Sequence, residues 1–483
     1  MLFNSFDFLW FFPLVVIVYY IVKHQYRWMW LLLASYYFYF AWEPSLVLLL
    51  FASTAIDYFC SLKIHKASSQ VVKKRLLYLS VFINLGLLCF FKYLGFLSEA
   101  TQSVLQFFGV MTTPETQQSY SFDKILLPIG ISFYTFQTIS YTIDVYRGRI
   151  TPIKHFGKYA LYVSFFPQLV AGPIERAERL IPQFDKKIAI NIPNIRKGLI
   201  MMGWGFFLKL AVADRLGIYV DYVFGYPEGH QGIPLVLGSY FFTLQIYYDF
   251  SAYSTIALGA AQVMGFELMQ NFDRTMFFKN MSDFWRRWHI SLMDFLGNYI
   301  YRPLARKRKI PKSMILLLVF FINGLWHGAN WTFVVWGLLC GGYLLFETAV
   351  RTQLYKFTMK QGWISLPKMA APFWWFLSVN FLAFTLIFFR SPSIEAAMRY
   401  LKNLIVYKGN NIQEVLKDNI ELGLTLVLIV IVQLIHYYKG NDKVYELITN
   451  RSVPIRWVCY LFFIIALVFL SINRQHNFIY FQF

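Results

Sequence analysis

The chain has 483 residues, of which 58% are hydrophobic and 14% charged, whereas soluble domains carry about 25% charged residues. With a mean hydropathy of +0.47, that balance excludes a freely soluble globular enzyme. The net charge of +20 does not point to nucleic acid, because the basic residues lie in the gaps between apolar runs, the distribution that the positive-inside rule produces. Cys60, Cys89, Cys340 and Cys459 are far apart and form no CxxC pair, so the sequence offers neither a disulfide framework nor metal-ligand spacing.

A helical span needs about 20 mostly apolar residues. In chain order the candidates are 7–22, 28–41, 45–62, 76–96, 126–146, 198–224, 233–265, 313–328, 331–350, 371–390, 420–438 and 457–473. The first is followed by Lys23, His24 and Arg27 with no small-residue cleavage site, so it is expected to be a retained span and not a signal peptide. The basic stretch 63–75 belongs in the cytoplasm. The gap 97–125, with Glu99, Glu115 and Asp123 against Lys124, belongs outside, and the basic gap 147–158 returns inside. In 159–173, Pro167, Gly172 and Pro173 oppose a continuous helix, and basic residues follow. A re-entrant segment on the cytoplasmic face is expected there, and broken backbone at membrane depth implies a protein-lined or watery cavity. The basic cluster 302–312 is cytoplasmic, which places both termini outside. The segment 391–419 is then also outside, despite Arg390, Arg399, Lys402, Lys408 and Lys417. The fold class that follows is all-α, a polytopic transmembrane bundle of about 11–12 spans, forming a single integral membrane domain over residues 1–483.

Ionisable residues inside such runs cost at least about 2.5–3.5 kcal/mol and mark function by default. Asp249 lies mid-run in 233–265; it is either a packing carboxylate bonded to neighbouring hydroxyls or part of a substrate site. His327 lies between two apolar runs, flanked by Trp326, Gly328, Asn330 and Trp331. It follows the last basic residue, Lys312, by roughly 22 Å of helix, which puts it within the outer half of a ~30 Å core. A histidine at that depth suits proton transfer near neutral pH. In 283–303, Arg286, Arg287 and His289 interleave with Phe284, Trp285 and Trp288. This is either an interfacial helix with snorkelling arginines or the floor of a cavity for an anionic donor. His289 and Asp294 also form an H-x-x-x-x-D string, a chance pattern here because no cytosolic catalytic domain accompanies it. No G-x-S-x-G, P-loop or HExxH is present.

Seven blocks, in order, resemble the membrane-bound O-acyltransferase (MBOAT) superfamily, and within it the alginate O-acetyltransferase subfamily. They are MLFNSFDFLWFFPLV, LLPIGISFYTFQTISYTIDVYRG, FFPQLVAGPIER, QIYYDFSAYS, MSDFWRRWHISL, NGLWHGANWTFVVWG and FIYFQF. The resemblance implies a helix bundle with a funnel open to the outside and a cytoplasmic side that meets an acyl donor. By the WHG match His327 takes the place of the family's catalytic histidine, and by the WRRWHIS match His289 takes that of its second functional histidine. The chain departs from the pattern at Thr255, where relatives commonly carry an acidic residue, and at Gly297 and Asn298, where they commonly carry an Arg-Asp pair.

These readings define an expectation. His327 acts as base, His289 positions the donor, and Asn330, Trp331 or a freed backbone N–H stabilises the oxyanion. Asp249, Trp285, Arg286, Arg287, Trp288, Trp326 and Asn330 line the substrate path. No tightly bound cofactor is expected; the donor is acetyl-CoA or another acyl thioester. The acceptor is a polysaccharide outside the bacterial inner membrane, or an SGNH-type partner that passes the acyl group on. The rival reading is a non-enzymatic transporter or flippase, which polytopic topology and a midplane Asp would also suit. His327 at its break and the lack of paired half-helix interruptions speak against it.

Overall fold

In a computed structural model, the described residues are 1–107, 128, 130–170, 172–361, 369–406, 419–440, 443–472 and 478–479. Glu115, Asp123, Lys124, Lys408, Lys417 and 480–483 lie outside them. Helices and short connections make up the described residues, with no strand among them, as a chain must fold where no water satisfies backbone groups. Each expected apolar run falls on a helix. Among the described residues six helices are long and apolar enough to cross a membrane, and Phe6–Ile21 and Lys312–His327 are shorter apolar helices. The chain divides into two compact units, Met1–Ile192 with Val263–Leu268, and Pro193–Gln262 with Met269–Phe483.

The first unit holds α1 (Phe6–Ile21), α2 (His24–Phe40), α3 (Pro44–Lys66), α4 (Gln70–Leu88), α5 (Leu94–Phe107), α6 (Ile131–Tyr146), α7 (Phe156–Ser164), α8 (Phe166–Leu169) and α9 (Ala177–Leu180). The expected break in 159–173 is present. α7 ends at Ser164, and Pro167 sits in the first turn of α8, where its missing N–H costs nothing. The backbone N–H of Phe166 is taken by Ser35 Oγ at 3.1 Å. At 1.5 Å per residue α7 is about 13 Å long, too short to cross. Polar side chains bridge the helices of this unit. The fully buried Asp57 of α3 accepts from Ser80 Oγ (2.6 Å) and Asn84 Nδ2 (2.8 and 3.0 Å) of α4, and Thr138 of α6 donates to Asn84 Oδ1 (3.3 Å).

The second unit holds α10 (Ile192–Phe207), a π-helical turn (Leu208–Ala213), α11 (Asp214–Gly225), α12 (Ile233–Val263), α13 (Met281–Arg287), α14 (Ile290–Leu296), a second π-helical turn (Gly297–Tyr301), α15 (Arg302–Arg306), α16 (Lys312–His327), α17 (Trp331–Lys360), α18 (Ala371–Arg390), α19 (Ile394–Ile405), α20 (Asn419–Lys439), α21 (Tyr445–Thr449) and α22 (Val453–Leu470). α16 and α17 form a hairpin whose backbones nearly touch. A Cβ on Gly324 would lie 2.3 Å from the Phe333 carbonyl oxygen, and one on Gly337 would lie 2.3 Å from that of Phe320.

One end of this unit gathers the α11–α12 turn, the α16–α17 break and α19. Asn403 Nδ2 donates to the Pro227 carbonyl (3.0 Å), Tyr400 OH to that of Leu235 (2.7 Å) and Asn330 Nδ2 to that of Pro392 (2.9 Å). Arg390 pairs with Asp221 (2.8 Å) and Arg399 with Glu228 (3.0 Å). Two of the basic residues that argued against an outside placement of 391–419 are thus paired with acids of α11 and of the turn that follows it, at the same end.

Candidate active site

His327 is the last residue of α16 and is 4% exposed. The helix stops because Gly328 is extended (φ −160°, ψ 152°), and a side chain there would strike the Phe333 ring at 2.1 Å. Asn330 then caps α17, its Oδ1 accepting from the Thr332 N–H at 3.0 Å. With Nδ2 bonded to Pro392, the Asn330 amide is spent on holding the break, not on lining the cavity beside it.

The His327 ring meets Trp326, Trp336 and Phe389 edge-on, at centroid distances of 4.9, 5.0 and 5.2 Å. It lines a tight cavity of about 10 Å³ with Phe284, Trp285, Trp288, Trp336 and Phe389, walled further by Thr243 and Met276. The indole N–H groups of Trp285 and Trp336 are buried and have no hydrogen-bond partner among the described residues. A buried N–H left unmatched costs about 1–3 kcal/mol. A histidine whose cavity is lined by two tryptophans with buried, unmatched N–H groups suits a reaction in which negative charge develops on a small carbonyl oxygen.

His289 does not line this cavity. It is 1% exposed and adopts φ +45° at the turn between α13 and α14. Its ring packs against Phe250 (4.7 Å) and Trp326 (5.4 Å), so Trp326 stands between the two histidines. Burial pushes its pKa down to about 3, which keeps the imidazole neutral and unsuited to hold an anion by charge.

The remaining expected residues divide among four places. Trp285 and Trp288 wall the cavity. Arg286 lines a separate open groove of about 450 Å³ with Lys279, Asn280, Ser282, Arg351 and Tyr355. Arg287 is engaged by Asp283 Oδ2 at 3.0 Å and the Asp273 carbonyl at 3.3 Å. Asp249 turns to neither pocket. Its Oδ1 meets Lys209 Nζ at 2.8 Å, Lys209 also meets Asp214 at 2.8 Å, and Asp249 Oδ2 accepts from the Ile479 N–H at 2.7 Å. Sequence reasoning missed Trp336, Phe389, Lys209, Asp214 and Glu347. Glu347 and Lys209 carried the same signal as Asp249, a charge within an apolar run.

Residues 48–389 match the model of the MBOAT, membrane-bound O-acyltransferase family. The chain is similar to the peptidoglycan O-acetyltransferase of Helicobacter pylori, 34% identical over 420 residues that cover 81% of this chain and 76% of the relative. It is also similar to the probable alginate O-acetylase AlgI of Pseudomonas aeruginosa, 32% identical over 458 residues, 94% of this chain and 84% of the relative. The teichoic acid D-alanyltransferase of Bacillus subtilis is 24% identical over 223 residues, 44% of this chain and 56% of the relative.

Proposed function

The chain belongs to the membrane-bound O-acyltransferase family and is an O-acyltransferase; on that premise we propose that it moves an acetyl group from a cytoplasmic thioester to a hydroxyl outside the bacterial inner membrane. The acceptor is a polysaccharide, or the serine of an SGNH-type partner that passes the group on. The whole chain acts as one membrane domain. The observation that carries this reading is His327 on the wall of a tight, indole-lined cavity. Its tight apolar lining favours a short acyl group over a long one.

In the proposed reaction the acceptor oxygen attacks the thioester carbonyl while neutral His327 takes its proton, which contributes about 10²–10⁴-fold. The C–O bond forms, the C–S bond breaks, and the departing thiolate recovers the proton from the imidazolium. The Trp285 and Trp336 N–H groups hold the oxyanion between these steps, a role for which a single donor is worth about 10²–10³-fold elsewhere. The groove bearing Lys279, Arg286 and Arg351 supports a donor with phosphate groups, such as acetyl-CoA. Arg351 lies about 30 Å along α17 from Trp331 at 1.5 Å per residue, so groove and break sit at opposite ends of a membrane-thick unit.

The test is ester-linked acetyl content of the exported polymer, normalised to membrane protein level. His327→Ala is expected to abolish it with the protein still present. His327→Gln, which keeps a hydrogen-bonding side chain of similar reach, is expected to be equally inactive; near-normal acetylation by this variant would end the proposal.

A further inference from the structure

Glu347 lies in an apolar stretch of α17 and none of its surface is exposed. A carboxylate buried there is costly unless its oxygens are hydrogen-bonded. The bonds it makes are to other helices. The backbone N–H of Met281, the first residue of α13, donates to Oε2 at 3.0 Å and Oε1 at 3.3 Å. Ser378 Oγ of α18 donates to Oε1 at 3.5 Å, and Tyr343 OH lies 3.3 Å from Ser378 Oγ.

α13 has only 7 residues, so its unmatched N-terminal N–H groups outweigh its internal bonds. Its own cap takes part of that load: Asn280 Oδ1 accepts from the Asp283 N–H (3.0 Å), and Asp283 Oδ2 accepts from the Lys279 N–H (3.1 Å). Glu347 takes the Met281 N–H, and its charge opposes the positive end of the helix dipole.

α13 matters because it walls both pockets. Phe284, Trp285 and Trp288 face the His327 cavity, while Ser282 and Arg286 line the basic groove. α17 does the same, with Trp336 in the cavity and Thr348 and Arg351 in the groove. We infer that Glu347 is a positioning residue for acyl transfer, clamping α13 to α17 so that the Trp285 and Trp336 N–H groups keep their places around the carbonyl. The kinetic consequence rests on the function proposed above; the clamp itself does not.

The experiment uses the full chain in membranes, with acetyl-CoA as the donor probe and folded protein quantified. Glu347→Ala is expected to lower kcat about 30–100-fold with less than about threefold change in KM for acetyl-CoA, the scale of a displacement near 1 Å. Glu347→Gln, which keeps an oxygen for Met281, is expected to recover to within about fivefold of the parent. Glu347→Asp keeps the charge but shortens the reach, and is expected to lose about tenfold in kcat. A second readout needs no turnover. In a chain freed of its native cysteines, Phe284→Cys, at a buried position (2% exposed), is expected to react with maleimide at least about tenfold faster when Glu347→Asp or Glu347→Ala is added. Folded Glu347→Ala with the parent kcat, or Glu347→Asp with the parent labelling rate if the Ala variant fails to accumulate, would overturn the inference. Absence of transfer by the parent chain would instead remove the functional reading and leave the labelling result standing.

Discussion

The dipeptide Trp-His occurs at two helix breaks, Trp326–His327 at the end of α16 and Trp288–His289 just after α13. In the first, His327 lines the cavity while Trp326 turns toward His289. In the second the roles are exchanged: Trp288 lines the cavity, and His289 is turned back onto Phe250 and Trp326. The difference is set by backbone geometry. Gly328 leaves His327 at the end of a regular helix in extended chain, whereas His289 itself makes the turn at φ +45°. A non-glycine residue is uncommon there. The same two side chains therefore yield one histidine at the reacting centre and one behind it.

That contrast predicts unequal losses. His327→Ala is expected to cost about 10²–10⁴-fold in acetyl transfer at normal protein level, the range of a lost general base. If His289→Ala fell as far with the protein folded, the two breaks would be equivalent and the comparison would be broken. Trp336→Phe, which keeps the ring and removes the N–H, is expected to cost about 10²-fold in kcat with KM for the donor nearly unchanged. Transfer at the parent rate would remove the indole from the oxyanion role. His289→Asn is expected to cost about tenfold, since Asn accepts the left-handed turn but fills less of the space against Trp326.

Smaller effects sharpen the boundary of the site. Asp249→Asn keeps an acceptor for the Ile479 N–H and leaves Lys209 paired with Asp214. It is expected to accumulate normally and lose a few-fold in activity. Lys209→Ala would leave two buried carboxylates without their cation and is expected to lose about 3–5 kcal/mol, read as loss of folded protein. Equal behaviour of the two variants would mean the triad is not held together by Lys209. The last effect is on pH. Because burial lowers the His289 pKa to about 3, the unfolded chain binds more protons below its ordinary value near 6.5. Stability should therefore decline as pH falls from about 6.5 toward 3, at most about 1.4 kcal/mol per unit from this group. In melting temperatures, His289→Asn should show a shallower decline than the parent, and an unchanged slope would assign the pH dependence elsewhere.

The helices were legible because each apolar run satisfies its own backbone and needs no partner to be recognised. The break at Ser164 was legible through Pro167, and that at His327 through Gly328. What the sequence withheld are pairings between distant segments. Thr243, Trp285, His327 and Phe389 meet around one cavity although they stand on four helices, and no local period announces that. Arg286 and Trp285 are neighbours in one motif, yet they face different pockets because α13 points successive residues about 100° apart. Asn330 read as a substrate ligand, since a cap and a ligand draw on the same amide chemistry; only the positions of Thr332 and Pro392 tell them apart.

The ion pairs Arg390–Asp221 and Arg399–Glu228 bear on how the chain is inserted. They join segments far apart in sequence, so they exist only after the end of α18 has met α11 and α19 has met the turn that precedes α12. While α18 is being inserted, both guanidinium groups are still bare. In the proposed orientation they must be carried outward against an inside-negative potential, at about 2.3 kcal/mol per charge for each 100 mV. The finished protein hides that electrical work. Assembly of this hairpin should consequently be more sensitive to collapse of the proton-motive force than its folded surface charge would indicate.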